Sequence, residues 1–185
     1  MILIDTSGVP PEKLTDPRLL GLKGQMQQAL QNRKWVDAFC IHEAGHMIYL
    51  EKMGVMEFVF TGPRIEYDAI RDDYDGYMAS VQAQTIPVLP DDADPLEVVD
   101  AGARAWAAGG VFTEKLTAAP DNGAQGDREL FNAICDAIEM KHSLGLDREQ
   151  SWKQGREDVF NDLRSPAARE RAWEKAHEIR SRFGF

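Results

Sequence analysis

The pentapeptide His42-Glu43-Ala44-Gly45-His46 constrains this chain more than any other feature. Two histidines four residues apart serve one purpose well only on an α-helix. There they point about 40° apart around the axis and sit about one turn apart along it. Both imidazoles can then reach a single metal ion, with Glu43 beside them as a general base toward water. Zinc fits such a donor set, with a coordination position left open for that water. Random placement of the chain's 4 histidines and its glutamates gives this pattern about 0.006 times, so chance is a poor account of it. The motif also lies within an apolar run, with Trp35, Val36, Phe39, Cys40, Met47, Ile48 and Leu50, rather than on a charged face. Gly45 costs about 1 kcal/mol in a helix interior, and close approach of another backbone near the metal would offset that.

The rest of the chain reads as helices around this one. Asp16-Pro17, Asp94-Pro95 and Ser165-Pro166 each look like an N-cap followed by a first helical turn. The expected helices span residues 17–31, 33–53, 95–116, 127–143, 147–164 and 166–183. Gly54 and Gly145 are natural stops. Residues 1–16, with Gly8, Pro10 and Pro11, read as an irregular lead-in. Residues 55–60, 64–67 and 77–84 read as strands of one small, largely antiparallel sheet. Residues 86–94 and 118–126 read as loops. Clustered strands among many helices predict a mainly α-helical, α+β single domain over residues 1–185. It divides into a lead-in and first helix (1–33), a core (34–145) and C-terminal helices (146–185). Trp152, Phe160, Trp173 and Phe183 in the last two helices are expected to form an amphipathic core layer rather than a docking surface.

Charge narrows the partners. With 21 Lys and Arg against 31 Asp and Glu, the net charge is −10, which disfavours nucleic acid and anionic membranes as partners. No apolar run approaches the roughly 18–20 residues of a membrane span. The N-terminus lacks the basic and apolar regions of a secretory signal. Cys40 and Cys135 show no metal or redox spacing and read as buried thiols of a protein in the reducing cytoplasm. Asp68, Asp72, Asp73 and Asp75 lack the spacing of a calcium loop and read as a solvated acidic turn.

The motif His42-Glu43-Ala44-Gly45-His46 resembles that of the peptidase domain of FtsH, the membrane-bound AAA metalloprotease. Gly109-Gly110 with Glu114 resembles the family's GG-x-x-x-E stretch, and Gly123-Ala124-Gln125-Gly126-Asp127 its GA-x-x-D stretch. Pro63-Arg64 and Gly76-Tyr77 are similar to its PRG…GY region. The resemblance covers residues 34–145. It implies zinc held by His42, His46 and Asp127, Glu43 as general base, and Glu114 as a carboxylate near the metal that orients a ligand histidine. On its own residue type and place, Asp127 reads as a helix N-cap before it reads as a ligand. Glu114, Asp100 and His142 are then the other candidates for a third ligand, while His142 and His177 fit solvated helix faces. The chain departs from the family in having Val111 after the double glycine, no phosphate-binding loop of an ATPase, no membrane span, and no match beyond Gly145.

The expected function is therefore that of a standalone zinc metallopeptidase, an endopeptidase that hydrolyses peptide bonds through metal-activated water without its own ATPase. Its partner is a peptide or protein substrate, which a strand over residues 77–84 could align by edge pairing. Self-association and a separate ATPase partner stay open. The alternative is a degenerate peptidase fold that serves as a zinc-containing partner-binding or regulatory module. The retained Glu43 favours the enzyme, since a structural zinc site has no use for it.

Overall fold

The structure is a computed structural model that describes residues 3–84, 93–117, 119 and 124–185. The expected loops over 86–94 and 118–126 lie largely outside these residues. The elements run β1 (Asp5–Gly8), α1 (Pro17–Gln31), α2 (Arg33–Lys52), β2 (Phe58–Thr61), β3 (Arg64–Asp68), β4 (Asp73–Tyr77), β5 (Ser80–Ala83), α3 (Pro95–Leu116), α4 (Ala124–His142), α5 (Arg148–Asp162) and α6 (Pro166–Phe183). The class is α+β and mainly helical, as the sequence predicts.

Local chemistry fixes the helix ends. The side chains of Asp16 and Asp94 accept hydrogen bonds from the Arg18 and Leu96 amides, with Pro17 and Pro95 in the first turns. Asn32 accepts from Lys34 and Trp35 at the start of α2, and Asp147 from Gln150 at the start of α5. Each cap satisfies an amide that the helix leaves without a partner. Gly54, at φ 88°, follows α2 in the left-handed region that favours glycine.

Helix α2 is the centre of the molecule. Every residue from Ala44 to Leu50 is buried, so this stretch is enclosed on all sides rather than amphipathic. Its principal neighbours are α3 and α6, while α3 also packs on α4 and α5. The largest core joins α2, α3, α5 and α6 through Ile41, Ala44, Ile48, Phe112, Val159 and Ile179. A second cluster lies between α3, α4 and α5 around Val99, Phe131, Cys135 and Trp152. A third joins α1 to β1, β3 and β4 around Leu19, Met26, Ile65 and Tyr74. Of the C-terminal aromatics, Trp152 is buried and Trp173 and Phe183 pack partly buried against the main core, whereas Phe160 stays exposed.

The strands differ from the single antiparallel sheet expected. The lead-in contributes β1, which pairs parallel with β3, and β3 pairs antiparallel with β4, giving a mixed sheet. The stretch 77–84 is not one strand. Its first residue closes β4, and its later part forms β5, which pairs antiparallel with β2 in a separate two-stranded sheet. The acidic turn is the β3–β4 hairpin, where Asp72 adopts φ 49° and its carboxylate pairs with Lys13.

Candidate metal centre

The helix that the motif demands is present, and the ligand atoms converge. His42 Nε2 lies 3.0 Å from His46 Nε2. Asp127 reaches both rings, with Oδ1 3.2 Å from His46 Nε2 and Oδ2 3.5 Å from His42 Nε2. One donor atom from each residue lies within 4.8 Å of the others, and among the described residues this is the one such cluster able to hold a metal ion. Ligands at about 2.0–2.2 Å in a tetrahedral site stand roughly 3.3–3.5 Å apart, so the spacing accepts an ion with small adjustments. Asp127 Oδ2 is buried without a hydrogen bond, an arrangement that costs stability unless a cation satisfies it.

Asp127 is not the cap of α4. It stands within the first turn of a helix that begins three residues earlier, at Ala124, and its buried side chain turns inward to the histidines. The other third-ligand candidates are elsewhere: Asp100 and His142 are exposed. The structure places Glu114 on the far side of α3, exposed and paired with Arg156 at 2.9 Å. The orienting contact expected of it is made instead by a backbone group. His46 Nδ1 donates to the Ala105 carbonyl of α3 at 2.8 Å. A carbonyl can only accept, so Nδ1 carries a proton and Nε2 is the nitrogen turned to the centre. The indole of Trp106 packs beside the same ring, 5.4 Å between centroids.

Two glycines make the site possible. A Cβ at Gly45 would lie 2.7 Å from the Ala108 carbonyl oxygen, so its absence lets the α2 and α3 backbones meet at the motif. A Cβ at Gly109 would lie 2.8 Å from His42 Nε2 and nearer still to His46 Nε2. The space where the donor atoms converge is thus the space that this missing side chain leaves. Thr113 Oγ1 holds the Gly109 carbonyl at 2.9 Å from one turn further along α3.

The electrostatics follow from burial and proximity. Burial resists a charge on His46, but the Asp127 carboxylate, Glu43 and the Ala105 carbonyl outweigh it and raise its pKa to about 9. Burial pushes the Asp127 carboxyl up, and the two histidines overcome this and hold it at about 2. Without metal the pair is therefore a buried ion pair. Glu43 is shifted upward, chiefly by burial, with the two histidines opposing. The Val81 backbone of β5 opposes the shift as well. His42 and Glu43 also line a cleft of about 830 Å³ with Trp35, Phe39, Leu116 and Trp173. Cys40 and Cys135 are buried free thiols, and burial pushes Cys40 up to about 12, which makes it unreactive.

No protein-family model, curated protein or solved structure matches this chain. No described helix is long and apolar enough to cross a membrane.

Proposed function

We propose that this protein is a zinc-dependent metallopeptidase of FtsH-like type that cuts peptide bonds without an ATPase of its own. The observation that carries the reading is the convergence of His42, His46 and Asp127, with His42 and Glu43 on the wall of an open cleft. Three protein ligands suit a catalytic zinc, which keeps one position open, better than a structural zinc, which closes with four. Bound there, zinc would supply the Lewis acidity that polarises a carbonyl and makes water a nucleophile near neutral pH.

The chain's own groups do the remaining work. His42, His46 and Asp127 hold the ion, and the Ala105 carbonyl keeps the His46 ring in its donor orientation. The Glu43 carboxylate accepts a proton from the attacking water and delivers it to the leaving nitrogen. The cleft beside it admits an extended chain to the bond being cut.

The test is metal content by mass spectrometry on protein purified without a metal column, followed by a peptide-library assay. About one zinc per chain is expected in the parent and in Glu43→Gln, and none in His46→Ala. Cleavage is expected in the parent alone, abolished by a chelator and restored by zinc. A Glu43→Gln variant that still cuts would remove the general-base assignment. A folded parent that takes up no zinc would remove the enzyme reading altogether.

A further inference from the structure

We infer that the cleft beside Glu43 is a subsite for a large apolar side chain, aromatic by preference, next to the bond being cut, and that α6 forms part of its wall. The inference rests on the peptidase reading for the bond, but the subsite can be tested by binding alone. Trp35, Phe39, His42 and His46 fall at i, i+4, i+7 and i+11 of α2, which places them along one helix face. The metal-binding face therefore continues directly into an aromatic one. The Trp35 and Phe39 rings stack with centroids 5.6 Å apart and planes 2° from parallel. Phe183 and Phe185 meet Phe39 edge-on at 5.7 and 5.9 Å, which fixes the orientation of that wall. Leu116 of α3 and Trp173 of α6 complete the apolar lining.

These aromatic side chains are not simply core. Trp35, Phe39 and Trp173 are each only partly buried, and the surface they leave open faces the cleft. Its volume falls in the range of sites that enclose small ligands, roughly 300–1,000 Å³, so an aromatic side chain fits together with the backbone on either side. Of the charged groups that line it, Asp37 bonds to Arg180 at 2.7 Å and Lys34 is exposed. An aromatic substrate side chain finds stacking partners along the wall. Trp173 lies beyond residues 34–145, so this wall comes from outside the stretch that resembles FtsH.

The experiment uses the full chain with zinc and the Glu43→Gln substitution, which blocks turnover so that affinity is read at equilibrium. Two blocked pentapeptides, Gly-Gly-Phe-Gly-Gly and Gly-Gly-Ala-Gly-Gly, are titrated by calorimetry. The phenylalanine peptide is expected to bind at least about tenfold more tightly, the scale of burying one aromatic side chain. Trp173→Ala should reduce that ratio to a few-fold. Ala38→Trp, which fills the cleft and leaves Trp173 in place, should reduce it as well, with zinc content unchanged in both. Equal affinities, no measurable binding of either peptide, or a ratio unmoved by both substitutions overturns the subsite. The zinc-loaded chain without the Glu43 substitution separates the two readings. Selective binding with no cleavage refutes the peptidase and leaves the subsite, while equal cleavage of both peptides refutes the subsite and leaves the peptidase.

Discussion

One methyl group decides whether the metal centre can exist. Gly109 faces both ligand histidines so closely that a Cβ there would overlap the His46 ring. Helix propensity alone would favour Ala over Gly by about 1 kcal/mol, so space at the histidines outweighs propensity here. Gly109→Ala should lower zinc affinity by about 100-fold or more, the upper range for disturbing the surroundings of metal ligands. Competition with a chromophoric chelator measures this, and an unchanged affinity would show that the rings can move aside. Much of the site was legible at this scale. The spacing of His42 and His46 announced both the helix and the convergence of the two rings, and the resemblance picked out Asp127 from its rival role as a cap. Other parts were not legible. The Ala105 carbonyl that orients His46 is a backbone group with no side-chain signature. Glu114, assigned that role by resemblance, is turned away toward Arg156. The approach of the Val81 backbone to Glu43 comes from a contact between elements that no local pattern records.

Elements were legible where their ends are chemically marked. Asp16-Pro17, Asp94-Pro95 and Pro166 fix helix starts through capping bonds and proline geometry, and the observed starts fall there. The strands are short and defined by distant partners. Asp5–Gly8 becomes β1 only because β3, some sixty residues on, lies alongside it. Residues 77–84 share an apolar alternation but split because their two ends pair with different strands. Helix packing supplies a paired prediction. Gly155 of α5 sits so close to α3 that a Cβ would lie 2.7 Å from the Ala103 carbonyl carbon, whereas Gly24, exposed on α1, has nothing within 4 Å. Gly155→Ala should destabilise by about 1–2 kcal/mol, overpacking outweighing propensity. Gly24→Ala should stabilise by about 0.5–1 kcal/mol. Urea unfolding of both variants reads the difference, and two shifts of the same sign would contradict the close α3–α5 contact.

At the scale of the whole molecule the centre joins two packing clusters that otherwise share only α3 and α5. Its ligands come from α2, in the main core, and from α4, whose buried side chains belong to a separate cluster with α3 and α5. A metal ion bound by both helices adds a link between these clusters that only the folded chain has. Free zinc at a thousandfold its dissociation constant should then stabilise the fold by about 4 kcal/mol. For a chain of this size that raises Tm by roughly 8–16 °C. The pH dependence has a definite sign. In the metal-free protein His46 is raised to about 9, so its ion pair stabilises fully below its ordinary value near 6.5 and fades as pH climbs through 9. Asp127 is lowered to about 2, so its share is present above about 4 and disappears as pH falls through 2. Zinc must displace the His46 proton, so at fixed free zinc the gain in Tm should be larger at pH 8 than at pH 5.5. Calorimetric scans with and without zinc, at both pH values, provide the measurement, and His46→Ala should show no zinc-dependent gain at either. A gain that grows on acidification, or that survives in His46→Ala, would place the ion somewhere other than between α2 and α4.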